Sequence, residues 1–305
     1  MITTTALTKR YHKVPVVRDV SLHCEPGTIT GFRGANGAGK STTLKMIVGL
    51  VRPDRGTATI DGQPFVELPN PTRVVGMLLD ASAMHPGRSG RSTLSIAARI
   101  AGVPTTRVEH LLDLVGLADA AEKRVGTYSL GMRQRLGIAQ ALIGEPKALI
   151  LDEPANGLDP EGIAWMRTLL RDFADPGGTV LLSSHLLHEV QATADHLVVI
   201  ADGAVVTAGR LDDLLASSTI LVRSPDPSAL AAALQAERID FVAGPGDAFT
   251  VDISGGRVTT EVLAGVARDH QVLLTELRPS EADGLEQLFF SLTASKAAPA
   301  QEALA

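Results

Sequence analysis

The 305-residue chain has a single cysteine, Cys24. One thiol excludes an intrachain disulfide and a cysteine-based zinc site, and it points to a reducing cytoplasm. A basic balance is also missing. Lys and Arg number 28 against 34 Asp and Glu, a net charge of −6, which excludes the positive footprint of a nucleic-acid binder. No apolar run reaches the roughly 18 uninterrupted residues of a membrane span. The first residues, MITTTALTKR, carry no apolar stretch ahead of a cleavage site. Work at a membrane would therefore pass through a partner. There is no internal repeat. What is present is ordinary: 45% hydrophobic and 20% charged residues, the composition of a soluble globular protein long enough for two cores.

Apolar runs of about five residues alternate with helical patterns, as in a mainly parallel α/β sheet. Strands are predicted at 28–33, 74–79, 148–152, 179–183 and 196–200. Turn-bounded segments at 14–23 and 58–61 predict an antiparallel flank near the N-terminus. Between about 92 and 144 the apolar residues recur at three-to-four spacing, which reads as a helical lobe inserted between two sheet strands. These elements form a first domain over 1–216. From 217 to 293 the order changes to strand 220–223, helix 227–236, strands 240–242 and 249–253, helix 259–269 and strand 272–277. That βαββαβ order predicts a small α+β ferredoxin-like domain, followed by a helix over 285–292 and a flexible tail over 294–305.

The segment Gly34-Ala35-Asn36-Gly37-Ala38-Gly39-Lys40-Ser41 fits G-x-x-x-x-G-K-[ST], between a predicted strand and a helix-compatible run that starts at Thr42. Glycines let backbone N–H groups converge on phosphates, and a helix N-terminus adds a favourable field for an anion. Lys40 is suited to the terminal phosphates and the Ser41 hydroxyl to Mg²⁺. Further on, Ala148-Leu149-Ile150-Leu151 is a buried-strand run ending in Asp152 and Glu153. Asp152 is placed to hold Mg²⁺ through water, and Glu153, just past the strand end, to orient or deprotonate an attacking water.

Between these elements lies Tyr128-Ser129-Leu130-Gly131-Met132-Arg133-Gln134-Arg135. Here the sequence resembles the ATP-binding subunits of ABC transporters, whose signature is Leu-Ser-Gly-Gly-Gln before a basic-Gln-Arg run. Ser129 and Gly131 match it, whereas Tyr128, Leu130 and Met132 depart from it. The resemblance covers about residues 1–215, motif by motif. It implies a P-loop ABC ATPase fold that hydrolyses ATP with Mg²⁺ in a head-to-tail homodimer, where Ser129 and Gly131 of one copy complete the site of the other. It implies that Tyr11 stacks on adenine, that Asp159 belongs to the dimer-contact loop Ala155-Asn156-Gly157-Leu158-Asp159, and that His185 is the switch histidine holding γ-phosphate or water with Glu153. It also implies a separate permease subunit of about six apolar spans and a peripheral position on the inner face of the cell membrane.

One residue departs from the family. A glutamine normally follows the strand at 74–79, touching Mg²⁺ and water, and Asp80 stands in its place. No glutamine occurs anywhere from Pro64 to Arg133. An ionised carboxylate still binds Mg²⁺ or accepts from water but cannot donate. The Leu-Gly-Met signature and this carboxylate resemble drug-, bacitracin- and lantibiotic-export members, so export of a drug, antibiotic or peptide is the leading expectation. Import and a soluble ATPase acting on ribosomes or DNA stay open as alternatives. The short mixed C-terminal unit disfavours the first; one cassette, no sustained heptads and a net negative charge disfavour the second. The C-terminal unit shows no catalytic constellation.

Overall fold

The computed structural model describes residues 1–215, 219–253 and 256–279. By internal contacts the chain divides into two compact units, Met1–Leu211 and a second from Asp212 on. The first unit runs β1 (Ile2–Tyr11), β2 (Val14–Cys24), β3 (Ile29–Arg33), α1 (Lys40–Ile47), β4 (Arg55–Ile60), β5 (Val75–Leu78), α2 (Gly90–Ala101), α3 (Thr106–Leu114), α4 (Leu130–Leu142), β6 (Ala148–Asp152), α5 (Pro160–Ala174), β7 (Thr179–Ser184), α6 (Leu187–Thr193), β8 (His196–Ala201) and β9 (Ala204–Arg210). A short helix, α7 (Leu211–Leu215), leads out of it.

Two sheets build this unit. The larger has the order β5-β6-β7-β3-β8-β9, with β9 antiparallel to β8 and every other pairing parallel. Strands β3 and β7 are buried along their whole length, as parallel strands covered on both faces must be; Ile29, Phe32, Val180, Leu181 and Leu182 supply their apolar part, while Arg33, Ser183 and Ser184 bring buried polar groups to their carboxyl ends. The smaller sheet is antiparallel with order β2-β1-β4. Its inward side chains, among them Ile2, Leu7, Val20 and Ile60, join Phe32, Leu44 and Ile150 in one core. Helices α2, α3 and α4 form the predicted helical lobe, which starts two residues before the predicted boundary because Ser89 caps α2 by accepting from the Ser92 N–H.

The second unit runs β10 (Thr219–Arg223), α8 (Pro227–Ala236), β11 (Phe241–Ala243), β12 (Ala248–Asp252), α9 (Thr260–Asp269) and β13 (Glu276–Pro279). Its sheet has the order β11-β12-β10-β13, antiparallel throughout, the topology of a ferredoxin-like βαββαβ sandwich. Alternate residues Ile220, Val222, Phe249 and Val251 meet Leu230, Leu234 and Leu263 of the helices, and Phe241 stands edge-on to Phe249 at 4.7 Å. The strand predicted at 272–277 is displaced: β13 begins only at Glu276. Val272 instead closes the end of α9, its N–H bonding the Ala267 carbonyl. The helix predicted at 285–292 and the tail at 294–305 lie outside the described residues.

Candidate functional site

The carboxyl ends of parallel strands are where an open α/β sheet presents ligands, and β3, β6 and β7 end side by side. Between β3 and α1 the glycine-rich loop must pass close to its neighbours. A Cβ at Gly34 would stand 2.5 Å from the Ile200 carbonyl oxygen. Gly39 adopts φ 101°, and a Cβ there would lie 2.6 Å from the Val16 carbonyl oxygen, so both positions require glycine. No side chain caps α1, which leaves the first-turn N–H groups and the positive end of the helix facing outward for an acceptor.

Loop and helix start enclose a cavity of about 240 Å³ lined by Ala35, Asn36, Gly37, Gly39, Lys40, Ser41 and Thr42, with Val16 and Glu153. Gly34 and Ala38 lie behind this wall. Lys40 is 6% exposed. Its Nζ donates to the carbonyls of Gly34 at 2.7 Å and Ala35 at 3.3 Å, and stands 3.7 Å from Glu153 Oε1. A nearly buried ammonium with one distant carboxylate is a strong attractor for further negative charge.

Glu153 is held from every side. Its backbone sits in the left-handed region at φ 49°. Its N–H bonds the Ser183 hydroxyl at 3.0 Å and the Ser183 carbonyl at 3.2 Å. Its carbonyl accepts from Gln134 Nε2 at 3.0 Å and the Asn156 N–H at 3.2 Å. Its Oε2 meets His185 Nδ1 at 2.7 Å and the His185 N–H at 3.2 Å, while Arg33 donates to the His185 carbonyl at 2.9 Å. Lys40, Glu153 and His185 thus form one chain of contacts at the cavity edge. Asp152 joins them through the Ser183 hydroxyl, which donates to Asp152 Oδ1.

The remaining candidates do not line this cavity. Ser129 caps α4, accepting from the Met132 N–H at 3.1 Å, and Asp159 caps α5, accepting from the Gly162 N–H at 2.8 Å. A Cβ on Gly131 would lie 2.7 Å from the Gly157 oxygen, and Leu130 covers Gly157, so the two capped turns share one surface. Tyr11 is exposed at the end of β1, with Lys9 Nζ 5.6 Å from its ring centre. Asp80 caps a short 3-10 turn; its Oδ1 accepts from the Ser82 N–H at 2.7 Å and the Ser82 hydroxyl at 2.6 Å. Those two bonds, the hydroxyl one foremost, hold its carboxyl below the usual range. Asp80 lines a different cavity, about 400 Å³, with Met84, His85 and Arg88 between β5 and helices α2 and α4.

Three contributors had no role assigned from sequence. Ser183, Gln134 and Arg33 position Asp152, Glu153 and His185. Tyr128, where the resemblance expects leucine, is 3% exposed and donates its hydroxyl to the Ala120 carbonyl at 2.7 Å.

The cavity suits a nucleoside triphosphate: a backbone cradle, an uncapped helix start and a nearly buried lysine all favour phosphate oxygens. Among the described residues no three His, Cys, Asp or Glu side chains form a self-sufficient metal cage. Ser41 and Asp152 offer few hard oxygen donors, which fits Mg²⁺ held largely by phosphates and water.

A family model described as ABC transporter matches residues 17–156, and one described as a domain of unknown function matches 218–286. The bacitracin transport ATP-binding protein of Bacillus licheniformis is 39% identical over 217 residues, covering 70% of this chain and 71% of that protein. The lantibiotic transport ATP-binding protein of Streptococcus pyogenes is 35% identical over 68% of this chain and 89% of its own length. A solved ATP-binding subunit of an ABC transporter superposes with TM-score 0.65 at 29% identity, over 70% of this chain and 91% of that one. A dimeric bacterial ABC transporter cassette shares the fold, with TM-score 0.64 at 23% identity over 69% of this chain and 99% of that one. The chain belongs to the ABC transporter ATP-binding proteins, the ATP-hydrolysing subunits of that family. Among the described residues no helix is long and apolar enough to cross a membrane.

Proposed function

We propose that this chain is the motor of an exporter for a peptide antibiotic or a drug, working as a head-to-tail pair of copies beneath a separate permease on the inner face of the cell membrane. The observation that carries the reading is the contact chain Lys40–Glu153–His185 at the edge of the phosphate cavity. Negative phosphate oxygens compete with Glu153 for Lys40, which leaves the Glu153 carboxylate held by His185 and available to orient or deprotonate water. Ser41 and Asp152 would hold Mg²⁺, which supplies charge neutralisation on the phosphates. Tyr11 would stack on the base.

The surface shared by Ser129, Gly131 and the loop up to Asp159 supports the dimer: its capped helix start suits the phosphates of an ATP held mainly by the partner copy. The cavity bordered by Asp80, His85 and Arg88 would receive the permease, making Asp80 the link between site and membrane. Export is supported by the Leu-Gly-Met signature, by the Asp80 substitution and by relatives that serve bacitracin and lantibiotic transport. The dimer is tested by light scattering on Glu153→Gln with Mg-ATP, alone and with its permease. We expect a mass of two chains that reverts when nucleotide is removed. A monomer under both conditions rules the paired arrangement out.

A further inference from the structure

Ser183 stands in the middle of the site without touching the phosphate cavity. On β7 it lies in parallel register with Asp152 of β6 on one side and Phe32 of β3 on the other, and it is fully buried. Registered residues on neighbouring strands point to the same side of the sheet, which brings its hydroxyl to the Asp152 carboxylate. That hydroxyl donates to Asp152 Oδ1 and accepts the Glu153 N–H at 3.0 Å. A serine hydroxyl has one proton and two lone pairs, so both bonds form together, with the proton committed to the carboxylate. Glu153 meanwhile holds a left-handed backbone at φ 49°, a conformation that side-chain-bearing residues keep only when their surroundings enforce it.

We infer that Ser183 is a positioning residue for hydrolysis: its one hydroxyl fixes the direction of the Asp152 carboxylate and the backbone from which the Glu153 side chain is aimed. The inference rests on the reading of this site as one that hydrolyses Mg-ATP. The Ser183 hydroxyl thus ties the metal-side acid to the water-side acid, and neither is set independently of the other. Removing it frees the Asp152 carboxylate to rotate and leaves the Glu153 N–H with only the longer carbonyl bond. The phosphate loop, which Ser183 does not line, is unaffected. A merely structural serine predicts something different, a general loss of stability with nucleotide binding weakened alike with and without metal.

The full chain as wild type, Ser183→Ala and Ser183→Thr separates these. Affinity for a fluorescent ATP analogue is titrated in EDTA and across Mg²⁺ concentrations, phosphate release is measured over the same series, and thermal melting checks the fold. For Ser183→Ala we expect affinity in EDTA within about twofold of wild type, a Mg²⁺ midpoint raised about tenfold and kcat lowered about tenfold, the low end for losing a hydrogen bond to a charged group. Ser183→Thr, which restores the hydroxyl, brings both values back toward wild type. An unchanged Mg²⁺ midpoint and kcat in Ser183→Ala overturns the inference while leaving the ATP site standing, as does an equal loss of affinity with and without metal. A wild type whose nucleotide affinity ignores Mg²⁺ overturns the reading of the site and this inference with it.

Discussion

Replacing Tyr128 by phenylalanine removes one oxygen and nothing else. The ring is nearly buried, immediately before Ser129, and its hydroxyl reaches the Ala120 carbonyl at 2.7 Å. Burial raises the phenol pKa, so it is a neutral donor at physiological pH. The space the hydroxyl occupies exists because residue 90 is glycine: a Cβ there would stand 2.4 Å from the Tyr128 oxygen. In Tyr128→Phe the ring packing is kept and the Ala120 carbonyl loses one of two donors inside the helical lobe, keeping the Lys123 N–H at 2.9 Å. Because that carbonyl stays paired, the loss is the net value of one hydrogen bond, about 0.5–1.5 kcal/mol, equivalent to a fall of roughly 1–6 °C in the midpoint of a unit of this size. Urea denaturation followed by tryptophan fluorescence reads this directly, since the one tryptophan, Trp165, lies against Arg135 of α4 with its ring centre 4.5 Å from the guanidinium carbon. Tyr128→Leu, although it restores the family's usual residue, costs more, because it removes ring contacts as well. A Tyr128→Phe midpoint indistinguishable from wild type, or a Tyr128→Leu protein more stable than Tyr128→Phe, refutes the argument.

Three further outcomes follow from the geometry. Asp80→Ala lowers permease-coupled ATPase and transport and Asp80→Gln retains more of both, whereas equal rates in all three proteins mean that Asp80 has no part in coupling. The Asp80 carboxyl is held low by its bonds to Ser82; the stabilisation of that turn is present above the ordinary carboxylate pKa and is lost as pH falls through the lowered folded value. Cys24 is buried, and burial pushes its thiol from 9.0 up to about 12, so iodoacetamide at pH 8 labels it only after unfolding, and its contribution to stability is present below pH 9 and falls away between 9 and about 12; rapid labelling of folded protein contradicts the buried placement. Gly39→Ala forces a Cβ toward the Val16 carbonyl at a backbone angle alanine avoids, and nucleotide affinity measured by fluorescence titration falls at least about tenfold.

Local chemistry made much of the site legible. A glycine-rich loop before Lys40, two acids closing an apolar strand and a histidine closing the next are each set by contiguous residues, and their order along the chain carried the family resemblance. Contacts between distant segments were not legible. The 3.7 Å approach of Lys40 to Glu153 and the Ser183 hydroxyl between Asp152 and Glu153 depend on strand order, and a serine in a buried run reads as packing. Strand β1 escaped for a different reason. Its buried residues Ile2, Thr4 and Leu7 break period-two alternation because the register slips between Thr4 and Leu7, at an Ala6 with φ 52°. The Asp80 turn shows the limit of spacing: Asp80 follows β5 closely, but its carboxylate bonds Ser82, outside the lining of the phosphate cavity.

The proposed hydrolysis depends on Glu153 acting on water while the loop holds ATP, and the direct measurement is phosphate release alongside nucleotide affinity for wild type and Glu153→Gln. The substitution keeps the size of the side chain and removes its basicity. Wild type should hydrolyse ATP in a Mg²⁺-dependent manner. Glu153→Gln should be slower by about 10²–10⁴-fold, the usual contribution of a positioned base, with ATP affinity within about threefold of wild type because the loop backbone and Lys40 are kept and the glutamine is the same size as the glutamate it replaces. A Glu153→Gln protein that turns over at the wild-type rate, or one that loses rate only because it no longer binds ATP, contradicts the central claim.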